Sequence, residues 1–307
     1  MSKKILGLFI KFMENMQEKK QLSVVIPVFN EQNAVVSVIT EINSLLSKLS
    51  IDYEIIAVND GSTDKSKQAI ESLNLKKLRI INHPYNRGYG AALKTGIKKA
   101  IYEYICIIDA DNTYPVEAIK DMLNSIPEYD MVVGARIGVN VDIPFTRKFA
   151  KIFITKLANY LVGIEIVDLN SGLRIFKKSA ALLYLNILPN GFSFTTTITC
   201  AMMSSEYFVK FHPIDYYKRT GQSKIKPFHA VEFLLLVTRL IIYFKPLKIF
   251  IPISALFFIV GFIRAIFTVF RDFAIHQLSM ILIISALMFF LIGLIADMLV
   301  KTRNIPS

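Results

Sequence analysis

Apolar and polar positions alternate in a regular order through the first 136 residues. Short runs rich in β-branched residues at 22–28, 53–59, 78–82, 104–109 and 130–136 have the length and composition of strands. Between them, 32–49, 63–73, 90–102 and 115–124 place apolar residues at helical spacing. Strand and helix in turn predict an α/β domain, a mostly parallel sheet covered by helices on both faces. Ligands of such sheets bind beyond the carboxyl ends of the strands. The loops that follow each strand are therefore the first candidates for chemistry.

Beyond residue 230 the pattern changes. Segments 247–269 and 278–300 are almost continuously apolar, and at about 1.5 Å per residue each can cross a hydrocarbon core roughly 30 Å thick. Lys248, Arg264 and Asp297 interrupt them towards their ends. Lys245 and Lys248 precede the first segment, and Lys301 and Arg303 follow the second. The link 270–277 carries Arg271 offset by Asp272. An excess of cytoplasmic lysine and arginine then predicts two transmembrane helices, with the domain before them and both termini cytoplasmic. Segment 228–244 is apolar but short and broken by Glu232 and Arg239, which fits an interfacial helix. Residues 1–20 show helical apolar spacing among lysines, either a helix on the membrane surface or a packing helix. The expected divisions are 1–20, 21–227, 228–245 and 246–301.

Composition adds little to this except charge. The chain is 53% hydrophobic with a net charge of +12, and its mean hydropathy is +0.45. With two spans present, that charge suits lipid headgroups and phosphorylated substrates, and no nucleic-acid recognition motif accompanies it. Cys106 and Cys200 lie in apolar runs, which argues against a disulfide framework. The four histidines share no zinc-ligand spacing.

Four loops fall on one predicted rim: PVFNE (27–31), NDGSTD (59–64), NRGYGAA (86–92) and DADNTYP (109–115). Each can also be read as a turn or a helix cap. Asp109 and Asp111, one residue apart after a buried strand, repel one another unless a cation lies between them. A hard divalent ion, Mg²⁺ or Mn²⁺, bridging these carboxylates to a diphosphate satisfies that arrangement.

In this order, SVVIPVFNE, VNDGSTD, NRGYGAALKTGI and DADNTYP resemble the catalytic domain of family 2 glycosyltransferases, which have the nucleotide-sugar-binding GT-A fold. VVGAR, DLNSGLRIF, GFSF and RTGQSK extend the resemblance, over about 22–226, to the branch of dolichyl- and polyprenyl-phosphate sugar synthases. The resemblance implies an inverting transfer of a hexose from a GDP- or UDP-sugar to a lipid phosphate. The rival readings are transfer to a hydroxyl of a glycolipid or glycan, and a non-catalytic membrane scaffold that retains the fold. It further implies that Pro27, Asn30 and Glu31 line the nucleotide pocket, that Asp60 lies near the base and ribose, and that Asp109 and Asp111 carry the metal. Lys94 faces either the same phosphates or water.

A lipid phosphate is already an anion and needs cations rather than a general base. Arg136, Arg147 and Arg174, expected in loops after the sheet, and Arg219 and Lys224, beside the membrane, are the candidates; the alternative is a membrane-flanking cluster attracted to anionic headgroups. Asp168 is either a carboxylate on the acceptor face or a helix cap. Relatives commonly carry glutamate where this chain has Thr197. Similar proteins also make a homo-oligomer plausible.

Overall fold

The computed structural model describes residues 20–137, 167–217, 242–243, 245–274 and 276–303. The expected N-terminal helix, the 228–244 segment and the site candidates Arg147, Arg219 and Lys224 lie outside or largely outside these residues. Two compact units are distinguished, one carrying the sheet and the other the two long helices.

In the first unit the chain runs β1 (Gln21–Val28), α1 (Val35–Lys48), β2 (Asp52–Asn59), α2 (Ser66–Glu71), β3 (Leu78–Asn82), α3 (Tyr89–Lys99), β4 (Tyr104–Ile107), α4 (Ala118–Asn124) and β5 (Met131–Arg136). It continues through β6 (Arg174–Lys177), α5 (Lys178–Tyr184), α6 (Phe194–Ser204) and β7 (Val209–Ile214). The sheet order is β3-β2-β1-β4-β6-β5-β7. Strands β1 to β4 are parallel, as their hydrophobic alternation with helices requires. β6 runs antiparallel to both neighbours, so the sheet is mixed. Sequence periodicity carries no strand direction, and β6, four residues bounded by Arg174 and Lys177, had no strand signature.

The core explains the stability of this frame. Val24, Ile26, Ile55, Ala57 and Cys106 of the central strands pack with Val35, Val38, Ile39, Ile42 and Leu46 of α1 and with Ile119 and Met122 of α4. Each fully buried Val, Leu or Ile contributes about 1.5–3 kcal/mol relative to exposure. Helix α1 presents Val35, Val38, Ile39, Ile42, Leu45 and Leu46 inward, the i, i+3, i+4, i+7 stripe of an amphipathic helix.

The antiparallel insertion also assembles the rim. Because β6 runs backwards, its first residue sits beside the last residues of β4, with Arg174 opposite Ile107. Arg174 is also opposite Val133 of β5, and Arg136 closes β5 opposite Ile214. The ends of β1, β2, β4 and β5 and the start of β6 therefore share one edge.

In the second unit, α7 (Leu247–Asp272) and α8 (Gln277–Arg303) form a hairpin. Phe273, at φ 54°, ends α7 in the left-handed conformation. Gly261 lets α8 approach closely, since a Cβ there would lie 2.9 Å from Cβ of Leu282. The Ser254 hydroxyl donates to the Ala286 carbonyl across the pair. Both helices are long and apolar enough to cross a membrane.

Candidate active site

Loop 29–32 is sewn to loop 62–66. Asn30, at φ 54°, accepts from Thr63 N at 2.8 Å through Oδ1 and donates its own N–H to Ser62 Oγ. Glu31 N–H donates to Ser66 Oγ, and Gln32 N–H to Asp64. Pro27 is buried in β1, opposite Val58. Of the nucleotide candidates, Asn30 and Glu31 therefore stand on this loop pair at the sheet edge, while Pro27 supports it from inside the strand.

Asp60 is held by a set of hydrogen bonds of its own. Its Oδ1 accepts from Arg87 N at 2.9 Å and lies 2.6 Å from His83 Nδ1; its Oδ2 accepts from Gly88 N at 2.8 Å. Asp60 thus shapes the turn that opens the glycine-rich loop. His83, buried, reaches Thr95 Oγ1 of α3 at 3.0 Å through Nε2. Gly61, at φ 67°, lets this loop lie on 85–86, where a Cβ would meet the Tyr85 carbonyl carbon at 2.4 Å. Beside these residues a cavity of about 500 Å³ is lined by Asn59, Gly61, Thr63, Lys67, Asn82 and His83.

Asp109 and Asp111 follow β4 on the rim, both half-buried. The Tyr89 hydroxyl donates to Asp109 Oδ1 at 2.8 Å. The carboxylate as a whole fits against Gly172, where a Cβ would lie 2.3 Å from Oδ2, 2.6 Å from Cγ and 2.8 Å from Oδ1. Asp111 accepts from the Thr113 hydroxyl at 2.6 Å and from Thr113 N–H at 3.2 Å. Among the described residues no cluster of three or more His, Cys, Asp or Glu gathers for a metal. Mg²⁺ usually takes one or two carboxylates and its remaining ligands from phosphate and water, and Asp109 and Asp111 supply that donor set. The residues fit such an ion. Burial, then the charge of Asp109, raise the Tyr89 phenol well above its ordinary value, so it remains a donor.

Arg136 and Asp168 pair with each other. Arg136 Nε donates to Asp168 Oδ2 at 2.7 Å and its second guanidinium nitrogen to Oδ1 at 2.8 Å. Arg136 N–H adds a third bond, and the guanidinium stacks over Tyr216. Burial alone would push the Asp168 carboxyl up; hydrogen bonds and charge from Arg136 outweigh it and hold the carboxyl below its ordinary value. Asp168 therefore binds a proton weakly. It also accepts from Asn170 N–H, turning the chain into the 168–173 loop.

Arg174 corrects an expectation. It opens strand β6 rather than occupying a loop, and its side chain is fully buried. Its guanidinium donates to the carbonyls of Thr195 and Ser171. Burial lowers it to about 10, still charged at neutral pH. Arg174 is a brace beneath the rim. Lys94 Nζ donates to Asn190 Oδ1 at 2.9 Å. Thr197 is buried, with its hydroxyl turned back to the Ser193 carbonyl.

Several residues here escaped sequence reasoning. Tyr89, Gly172, Tyr114, whose hydroxyl accepts from Gly172 N–H, and His83 are all involved in holding the site. Their signal was present only as a loop composition of small, aromatic and hydroxylated residues, which does not specify partners.

A mixed sheet with nucleotide-type loops and paired carboxylates on one rim defines a GT-A glycosyltransferase fold. In agreement, the chain superposes on glucosyl-3-phosphoglycerate synthase of Mycobacterium tuberculosis, solved with Mn²⁺, UDP and glucosyl-3-phosphoglycerate. The TM-score is 0.56 at 16% identity, covering 76% of this chain and 81% of that one. The chain belongs to glycosyl transferase family 2, which residues 23–183 match, and residues 245–301 match the GtrB C-terminal hairpin. It is 26% identical over 213 residues to the low-salt glycan biosynthesis hexosyltransferase Agl6 of Haloferax volcanii, covering 67% of this chain and 50% of that protein. It is 28% identical over 209 residues to the dolichyl-phosphate hexose transferase of the same organism, covering 67% of this chain and 87% of the relative. The chain thus spans half the length of the first relative and most of the second.

Proposed function

We propose that this protein transfers a hexose from a nucleotide sugar to a polyprenyl or dolichyl phosphate. The observation that carries the acceptor is the state of Asp168. Both its oxygens are held by Arg136 and its carboxyl is shifted towards the ionised form, which makes it a weak base. A hydroxyl acceptor needs a base; a phosphate acceptor attacks as an anion without one. Thr197, its hydroxyl bonded to the Ser193 carbonyl, offers no base either. The names of the similar proteins point the same way, one of them a dolichyl-phosphate hexose transferase.

The donor would lie along the rim. The cavity beside β2 and β3 suits the nucleoside, and Asp109 and Asp111 suit the diphosphate two strands away. At about 4.8 Å between strands this separation is on the order of 10 Å, within the reach of a nucleoside diphosphate. Asp109 and Asp111 would hold Mg²⁺ or Mn²⁺, which neutralises charge that develops on the leaving diphosphate. Asp60 holds the glycine-rich turn against the donor, and Tyr89 and Gly172 orient Asp109. Arg136, already stacked on Tyr216, is the described cation best placed to meet an acceptor phosphate, exchanging part of its bond to Asp168. Arg147, Arg219 and Lys224 remain acceptor candidates from the sequence. The division into a catalytic domain over 21–227 and an anchoring hairpin over 246–301 suits an acceptor that resides in a bilayer, with the domain on the cytoplasmic side.

The full chain in detergent, given Mg²⁺ or Mn²⁺, undecaprenyl or dolichyl phosphate and a panel of UDP- and GDP-sugars, should form a lipid-phosphate sugar. Absence of that product with every donor, or sugar found only on hydroxyl acceptors, would refute the proposal.

A further inference from the structure

Asp109 is held from two sides by elements that no strand provides. On one side is Tyr89, the first residue of α3, whose hydroxyl reaches Oδ1 at 2.8 Å. The Tyr89 ring in turn stacks on Phe192, with centroids 5.6 Å apart and planes 20° from parallel. Phe192 belongs to a segment pinned against the glycine-rich loop. Ala91 N–H donates to the Asn190 carbonyl at 3.1 Å, and Lys94 reaches the Asn190 side chain. Gly88 and Gly90 permit that approach, since a Cβ on either would come within 2.5 Å or 2.2 Å of a carbonyl oxygen of 189–190. Phe192 itself is 55% exposed, so it stands outside the buried core of the sheet.

We propose that Tyr89 is a positioning residue for the metal carboxylate, and that Phe192 holds it in place. The pair couples the 188–194 segment to the aim of Asp109. The physical reason lies in the side chain. The carboxylate plane of an aspartate rotates over a broad, shallow range, so its rotamer alone does not aim an oxygen. The Gly172 wall blocks one direction of rotation, and a donor at Oδ1 blocks the other. Groups that orient a metal-ligating carboxylate through a hydrogen bond typically change metal affinity or activity by about 10–100-fold when removed. The stacked ring fixes the phenol, so the donor arrives already oriented.

This inference rests on the metal–diphosphate reading of Asp109 and Asp111, and the test separates the two. Mn²⁺ is titrated into the full chain in detergent, in the presence of UDP and, separately, GDP, and binding is read by calorimetry and by the electron paramagnetic resonance of free Mn²⁺. Tyr89→Phe deletes one oxygen and keeps the ring. It should raise the Mn²⁺ midpoint about 10-fold or more, while thermal melting stays within a few degrees of wild type. In turnover assays the loss should be largest at low Mn²⁺ and smaller at saturation. Phe192→Ala, which leaves the hydroxyl present but its ring unsupported, should shift the midpoint in the same direction by a smaller factor, and Phe192→Tyr should restore it. The double variant Tyr89→Phe/Phe192→Ala should resemble Tyr89→Phe alone, because both changes act through one contact. A Tyr89→Phe midpoint within twofold of wild type overturns the inference whatever the melting temperature. If that variant does not fold, an unchanged midpoint for Phe192→Ala overturns it equally. If wild type binds no Mn²⁺ with either nucleotide, the metal reading itself fails and takes this inference with it.

Discussion

Gly172→Ala tests the geometry of Asp109 with a single methyl group. The backbone at Gly172 is not in the left-handed region, so alanine adds no backbone strain. Its Cβ would, however, lie 2.3 Å from Asp109 Oδ2 and 2.6 Å from Cγ, far inside contact distance. The carboxylate must turn away. Swinging the whole side chain about 30° off its χ1 rotamer costs about 0.5–1.5 kcal/mol, and breaking the charge-assisted bond from Tyr89 adds about 1.5–3 kcal/mol. The sum, about 2–4.5 kcal/mol, corresponds to roughly a 30- to 2,000-fold loss if it falls on the transition state. The assay is kcat/KM for the nucleotide sugar at several Mn²⁺ concentrations, with thermal melting as a check on folding. Because the carboxylate end can move towards solvent, stability should fall much less than activity. Activity within threefold of wild type would show that Asp109 need not stay where the structure places it, and would refute the reasoning.

Asp168→Asn leaves Arg136 with its charge and without its partner; a loss of about 2–3 kcal/mol is expected in denaturant titration, less than for a fully buried pair because the arginine is partly exposed. The folded carboxyl lies below the ordinary value near about 3.9. Its contribution is therefore complete above that pH and disappears as pH falls through the folded value, so the stability gap between wild type and Asp168→Asn should narrow on acidification below about pH 4. Gly90→Ala places a Cβ 2.2 Å from the rigid Pro189 carbonyl and should destabilise by about 1–3 kcal/mol, with faster proteolysis within 188–194. Asp60→Ala removes the acceptor for Arg87 N–H and Gly88 N–H; KM for the donor should rise about tenfold or more, at about 1–3 kcal/mol for the two donors left without it.

Much of the fold could be read from apolar spacing. The strands at 22–28 and 53–59 and the helix stripe of α1 appear as the pattern requires, because burial against one face dictates it. The two apolar helices likewise needed only length and composition. Strands β6 and β7 were not legible: Arg174–Lys177 is short and begins with a charged residue, and its direction follows from a long return through the chain rather than from local pattern. On the rim, the position of Asp109 and Asp111 was legible because the apolar run before them reads as a buried strand that ends there. The pairing of Arg136 with Asp168, the burial of Arg174 and the use of Asp60 as a turn acceptor depend on contacts between residues 21 to 32 positions apart. Charge and residue type cannot reveal whether an arginine meets a ligand, an aspartate or a carbonyl.

The most direct measurement is mass spectrometry of the lipid fraction after the purified full chain is incubated with undecaprenyl phosphate, Mn²⁺ and UDP- or GDP-hexoses. The account predicts one new species, the lipid phosphate enlarged by a single hexose, dependent on Mn²⁺ and lost in Asp111→Asn. Hexose attached to a hydroxyl acceptor while the lipid phosphate stays unmodified would contradict it.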